Sequence, residues 1–354
     1  MGDRGSLNAA RWNGSAPWSE AWFVTCADPD RGVGLWLRYA IDARRGGVAA
    51  PSVWGCFQER DRAFALRNVY PPAAIRRSQP IAIGIAELAE AGCSGEVEAA
   101  GQSLRWRLSF EPDADAEDVV PTALRPIAAL RGSGMALPYP SMRVTGALEV
   151  DGRLTDLAGA PGAQGHLWAR ERWLTYTWAR CNAFAEDPSA SVDLTAVRLP
   201  GGVQALLYTF RWRGEVHRFQ DPPWILFSRS AAAAPSWHFS ASDARVAIDG
   251  VVHARAASTV LVTYEDARGE AHRCTNTELA DMELRVRVRT FPGARWRPEA
   301  TLTSEAACLE FCGAGAGEDV GNVLATVFVP DEGSGRAYPA AHPAASPPRS
   351  APPA

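Results

Sequence analysis

Apolar and polar side chains alternate along most of this chain, and helical periodicity is almost absent. Apolar residues occupy every second position in the stretches 33–41, 81–85, 104–110, 260–264 and 284–288. Successive side chains of a β-strand point to opposite faces, so this period of two is typical of half-buried strands. The pattern predicts an all-β fold with little helix, built as antiparallel barrels or sandwiches because these hide sheet edges.

Two Asp-Gly pairs predict tight turns between strands. Asp151-Gly152 follows the strand-like stretch 142–150, and Asp249-Gly250 follows the stretch 244–248. Asp-Gly is a preferred sequence for two-residue hairpin turns, because both positions adopt positive φ. A hairpin is therefore predicted at each pair.

The length of 354 residues favours two domains, because one hydrophobic core usually stops growing below this size. Residues 111–140 are rich in acid, proline and glycine, which indicates a long connection before a strand that begins at Met142. We predict an N-terminal β-barrel over 12–164 and a C-terminal β-barrel over 165–330. Residues 331–354 are mostly Pro, Ala, Ser and Gly, and this composition predicts a disordered tail.

Charge and composition exclude several classes of function. The net charge of -4 shows no basic excess, so no nucleic-acid partner is expected. All 36 basic residues are arginine. The absence of lysine excludes Schiff-base chemistry, pyridoxal-phosphate attachment and a Walker-A loop, since each requires a lysine.

The seven cysteines are scattered and odd in number, which predicts free thiols in a reducing compartment. A zinc site from His272, Cys274, Cys308 and Cys312 is the alternative to buried free cysteine. The N-terminus has no apolar signal region, and no run reaches the ~18 apolar residues of a membrane span. We expect a cytoplasmic protein with no metal, no cofactor and no transmembrane segment. Transient membrane contact and the oligomeric state stay open.

The segment 165–184 combines three tryptophans with one histidine, one glutamate and one cysteine. If residues 171–182 form a strand, Glu171 and Trp173 share one face. Burial among aromatic side chains keeps a carboxylic acid protonated, so this face suits an acid in an apolar pocket. A half-buried strand on which Glu171 pairs with Arg170 or Arg172 is the alternative.

Short motifs across the chain resemble those of tocopherol cyclases and their bacterial relatives. They are Trp18-Ser19-Glu20-Ala21-Trp22-Phe23, Gly165-His166-Leu167-Trp168 with Glu171, Trp178-Ala179-Arg180-Cys181-Asn182-Ala183-Phe184 with Asp193-Leu194-Thr195-Ala196, and Tyr264-Glu265-Asp266 through Arg273 to Asp281. This superfamily also includes carotenoid hydratases (hydroxyneurosporene synthases) and AttH-like proteins. The resemblance implies two lipocalin-like β-barrels.

The resemblance also implies a hydrophobic small-molecule ligand, isoprenoid or polyketide-like, and acid-promoted cyclisation or hydration of an alkene. A non-catalytic carrier of hydrophobic ligands or lipids is the alternative. Glu171 is the first candidate for the acid, His166 the second and Glu20 the third. The candidate substrate-binding residues are Trp168, Trp173, Tyr176, Trp178, Cys181 and Asn182. A tryptophan in a barrel is otherwise a core residue.

Overall fold

The computed structural model describes residues 3–76, 80–122, 125–172, 174–313 and 322–330. Two curled, largely antiparallel sheets contain most of these residues, which confirms the all-β prediction. The two helices labelled here are short, α1 (Arg4–Asn8) and α2 (Arg125–Leu130). No helix within the described ranges is long and apolar enough to cross a membrane.

The first sheet is built mainly from the N-terminal half of the chain. Its strand order is β23-β4-β3-β2-β1-β12-β11-β9-β8-β7-β6-β5, with β10 paired to β11. The strands are β1 (Trp18–Asp28), β2 (Val33–Ala43), β3 (Ala49–Gln58), β4 (Ala63–Val69), β5 (Ile75–Arg76), β6 (Pro80–Ile83), β7 (Ala86–Ala89), β8 (Gly92–Ala99), β9 (Gln102–Pro112), β10 (Glu117–Asp118), β11 (Gly134–Val150), β12 (Arg153–Ala169) and β23 (Ala325–Phe328).

The second sheet is built from the C-terminal half. Its order is β16-β15-β14-β13-β22-β21-β19-β18-β17, with β20 paired to β21. The strands are β13 (Tyr176–Cys181), β14 (Ser191–Arg198), β15 (Gln204–Trp212), β16 (Glu215–Arg218), β17 (Arg229–Ala233), β18 (Ser236–Ser242), β19 (Val246–His253), β20 (Val260–Glu265), β21 (Ala271–Val288) and β22 (Arg297–Cys312).

The predicted boundary between the two domains, at residues 164 and 165, falls inside strand β12. Strand β12 belongs to the first sheet and ends at Ala169, and β23 adds residues 325–328 to the same sheet. The division between 12–164 and 165–330 stays a prediction. The predicted connection over 111–140 contains β10, α2 and the start of β11, so a strand begins at Gly134 rather than Met142. The tail predicted over 331–354 lies outside the described residues.

Each sheet curls around its own apolar core, and a third apolar cluster joins the two sheets. The two faces of strand β2 lie in two different clusters. Leu35, Leu37 and Tyr39 point into the first core, whereas Trp36 lies in the third cluster, together with Trp178 of the second sheet. Both faces of β2 are therefore buried. The alternation in this strand separates two buried faces, not a core face and a solvent face.

The hairpin prediction is confirmed at one Asp-Gly pair and wrong at the other. Asp151 and Gly152 have φ of 49° and 80° and connect β11 to β12. Asp249-Gly250 instead lies inside β19, where Gly250 pairs with Phe239 of β18. A Cβ atom on Gly250 would lie 2.4 Å from Cζ of Phe239. Glycine is present here because a neighbouring aromatic ring packs against the backbone.

Replacing Gly250 with alanine is expected to lower the free energy of unfolding by about 1–3 kcal/mol, because Phe239 must leave its packed position. The new Cβ would also lie 3.0 Å from the carbonyl oxygen of Glu283. Chemical denaturation measures the change. Gly47→Ala is the matched control, since its nearest atom would be the Arg44 carbonyl oxygen at 3.5 Å. Equal stability of the two variants would contradict this account of Gly250.

Candidate functional site

A cavity of about 770 Å³ lies where the two sheets meet. The first sheet contributes walls from β1, β2, β11 and β12, and the second sheet from β13, β14, β15, β20 and β22. Residues in and just after α2 lie beside them. Its side walls carry the rings of Phe23, Trp36, Tyr176, Trp178 and Tyr264. Phe23 meets Trp178 edge to face with centroids 5.6 Å apart, so the two sheets touch directly at this wall.

Glu310 is a buried carboxyl group among these aromatic residues. Its residue is 4% exposed, and it lines the cavity from β22. The Tyr176 hydroxyl donates to Glu310 Oε1 at 2.5 Å, and Asn276 Nδ2 lies 3.5 Å from Oε2. Burial raises the pKa of Glu310 above its ordinary value, although Tyr176 and Arg172 act in the opposite direction. This arrangement favours a carboxylic acid that holds its proton beside an apolar space.

A second buried carboxyl group lies close to this site. Glu278 of β21 is fully buried, and burial raises its pKa to about 8, with Glu310 adding to the increase. Cys308 Sγ donates to Glu278 Oε2. Oε1 of Glu278 has no hydrogen-bond partner within the described part of the chain. The second sheet therefore carries two buried acids, of which Glu310 lines the cavity.

Glu171, the first candidate for the acid, lies at the rim of the cavity and is not buried. Its side chain is 58% exposed and pairs with Arg45 at 2.5 Å. The predicted burial of Glu171 is wrong, because β13 begins only at Tyr176 and no strand face carries Glu171 inward. The alternative pairing with Arg170 or Arg172 is also wrong, since Arg45 is the observed partner.

His166 and Glu20 are brought together, but away from the cavity. His166 Nε2 lies 2.9 Å from Glu20 Oε1, and Nδ1 lies 2.8 Å from the Leu7 carbonyl oxygen. Both side chains are fully buried. Phe23 and Leu167 line the cavity. Glu20 and His166 therefore project from the opposite faces of β1 and β12, under the N-terminal segment.

The substrate-binding candidates divide between the cavity and other surroundings. Tyr176 and Trp178 line the cavity. Trp168 lies against His166 with ring centroids 4.8 Å apart. Cys181 lies in the second core, and Asn182 Nδ2 donates to Gly162 O at 2.9 Å, which joins the two sheets. Trp173 lies outside the described residues.

Three further cavity residues, Arg38, Tyr264 and Glu310, are not among the sequence candidates. Glu310 does leave a signal, because it alternates with Cys308 and Cys312 as the acid on a face of small residues. Arg38 shares a face with Trp36, which the alternation assigns to the less apolar side of β2. Tyr264 alternates with apolar Val260 and Val262, so it resembles a core residue.

Two of the cysteines are joined, which makes the prediction of free thiols wrong for this pair. Strands β21 and β22 place Cys274 directly opposite Cys312, with Cα atoms 4.1 Å apart, and a disulfide connects them. The other five cysteines are free and buried. The disulfide takes up two residues of the alternative zinc set. It lies beside the Glu310 carboxyl group.

The comparisons with solved structures define the class of fold. A putative AttH from Nitrosomonas europaea has a TM-score of 0.54 at 10% identity, covering 87% of this chain and 98% of that chain. CghA also has a TM-score of 0.54 at 10% identity, with 85% and 90% covered. Kievitone hydratase from Nectria haematococca has a TM-score of 0.49 at 10% identity, with 84% and 89% covered. The first two likenesses show that this chain shares the fold of the putative AttH and of CghA, which agrees with the fold that the sequence resemblance implies.

Within that fold class, the chain belongs to the family described as a domain of unknown function (DUF7064), whose model matches residues 8–223. No curated protein sequence matches the chain. A shared fold alone does not define a reaction, so the function depends on the residues of the cavity.

Proposed function

We propose that the protein binds a hydrophobic small molecule in the cavity between its sheets, and that Glu310 promotes cyclisation or hydration of an alkene in this ligand. The observation that carries the proposal is the buried Glu310 carboxyl group lining an aromatic cavity of about 770 Å³. Large apolar cavities with few convergent polar groups are typical of small-molecule sites. An isoprenoid or polyketide-like ligand has the apolar body and the double bonds that such a site suits.

In this reaction, protonated Glu310 transfers its proton to one alkene carbon. The π bond breaks, a C–H bond forms, and the other carbon becomes a cation. The faces of Trp36 and Trp178 stabilise this cation, each by roughly 0.5–2 kcal/mol. Water, or a nucleophile within the ligand, then bonds to the cation and returns a proton to the Glu310 carboxylate. Tyr176 holds the carboxyl group in place through its hydrogen bond.

Farnesol is a suitable first probe, because it carries three isoprenoid double bonds. Incubation in D2O and mass spectrometry of the extract should reveal a hydrated or cyclised product with deuterium on carbon. Glu310→Gln should keep farnesol binding, measured by tryptophan fluorescence, and reduce product formation at least about 100-fold, because an amide cannot deliver the proton.

Glu171→Gln is the matched control, since Glu171 is exposed at the rim, and it should retain product formation. Unchanged turnover in Glu310→Gln would contradict the role of Glu310. Farnesol that binds to the wild type and is recovered unchanged would favour the non-catalytic carrier, which would use the same cavity without chemistry.

A further inference from the structure

Arginine side chains dominate the charged lining of the cavity. Arg38, Arg45, Arg131, Arg170 and Arg172 line it. Glu171 and Glu310 are the acidic residues among the lining residues that the structure describes, and Arg45 already neutralises Glu171. Burial favours the protonated form of Glu310, so more of the lining side chains are cationic than anionic.

Arg38 is a buried residue of the cavity lining with an unused hydrogen-bond donor. It is 3% exposed and projects from β2 on the same face as Trp36. Its guanidinium lies 4.9 Å from the Trp54 ring centroid and 5.1 Å from that of Tyr264. Nη2 lies 3.7 Å from Asp42, but the buried Nη1 has no hydrogen-bond partner among the described residues. A buried guanidinium with an unused donor is costly unless an acceptor satisfies it.

Arg172 contacts the same tyrosine ring as Arg38. Its guanidinium lies 5.3 Å from the Tyr264 ring centroid, so Tyr264 contacts the cations of both Arg38 and Arg172. Guanidinium groups match the planar geometry of carboxylates and bind phosphates equally well. Arg38, with its unused Nη1, and Arg172 therefore place two guanidinium groups beside the aromatic rings of the cavity wall.

We propose that the ligand is an amphiphile with an anionic oxygen head group, a carboxylate or a phosphate, which Arg38 binds with the help of Arg172. This inference rests on the proposed function, because it specifies the ligand of the same cavity. The apolar body of the ligand occupies the aromatic space, and the oxyanion supplies the acceptor that Arg38 Nη1 lacks.

The bound oxyanion also serves the proposed chemistry. Arg172 and Arg38 lower the pKa of Glu310, in opposition to the larger effect of burial. A negative charge on the ligand offsets these two cations, so the proton on Glu310 is held more firmly when the ligand is in place. Binding of the head group and protonation of the acid therefore support each other.

Farnesoic acid, farnesyl phosphate and farnesol share one apolar chain and differ in the head group. Tryptophan fluorescence titration of the wild type should show at least tenfold tighter binding of one or both anions than of farnesol. The tighter of the two anions identifies the head group as carboxylate or phosphate. In Arg38→Met the preference for the anion should disappear, while the affinity for farnesol is retained.

Arg105→Met is the matched control, because it removes one exposed positive charge that pairs with Glu96 and Glu149 outside the cavity. It should keep the preference. Equal binding of all three probes by the wild type would overturn the proposal of an anionic head group, but not the proposal that the cavity binds a hydrophobic ligand. An anion preference that persists in Arg38→Met would overturn the assignment to Arg38. Failure of the wild type to bind any probe would contradict the proposed function itself.

Discussion

Replacing Glu20 with alanine is expected to lower the free energy of unfolding by about 3–5 kcal/mol, since it breaks a buried charged hydrogen-bond network. The Glu20 carboxylate accepts hydrogen bonds from the backbone N–H groups of Arg11 at 2.6 Å and Trp12 at 2.7 Å. It also accepts a hydrogen bond from Trp18 Nε1 at 3.0 Å, and its Oε1 lies 2.9 Å from His166 Nε2. Removing the carboxylate leaves the buried His166 and three partly buried N–H donors without this acceptor and frees the N-terminal segment from β1.

Chemical denaturation of Glu20→Ala beside Glu171→Ala tests this expectation. Glu171 is the control, because its pair with Arg45 is exposed and such pairs contribute about 0–1 kcal/mol. Ligand binding should survive in folded Glu20→Ala, since Glu20 does not face the cavity. Similar stability losses in the two variants would show that the Glu20 network is not structural.

The strands were predictable from sequence because their signal is local. In β9, Leu104, Trp106 and Leu108 are buried while Arg105 and Arg107 are exposed, as the alternation predicts. The turn at Asp151-Gly152 is local as well. Asp249-Gly250 has the same two residues but lies inside a strand, because Phe239 on the neighbouring strand packs over Gly250. No local pattern carries that tertiary contact.

The site was less predictable, because it is made by contact between two sheets. Tyr176 and Trp178 of the tryptophan-rich segment line the cavity, and their contact with a substrate stays a prediction. The same segment pointed to Glu171, which lies before β13 and reaches only the rim. The buried acid is Glu310, on a strand that pairs with β13 but is distant in sequence. Alternation shows which residues share a face, but it does not show which sheet will cover that face.

Glu278→Gln is expected to reduce the loss of stability with rising pH between about 4.5 and 8. In the folded protein, burial raises the pKa of Glu278 from 4.5 to about 8. Below pH 4.5 both the folded and the unfolded chain keep this proton, so the group has no effect on stability. As the pH rises to 8, the unfolded chain releases the proton first and unfolding becomes more favourable.

One pKa unit corresponds to about 1.4 kcal/mol, so Glu278 costs the wild type on the order of 5 kcal/mol at pH 8 and above. Glu278→Gln carries no charge in either state, and it should equal the wild type near pH 4 and exceed its stability increasingly up to pH 8. Urea denaturation at a series of pH values measures this difference. Glu305→Gln is the control, because this side chain is 59% exposed and pairs with Arg60, and it should follow the wild-type profile. If Glu278→Gln also follows the wild-type profile, Glu278 is not a buried acid that holds its proton. A group lowers stability with rising pH in this way only if its pKa is higher in the folded than in the unfolded chain.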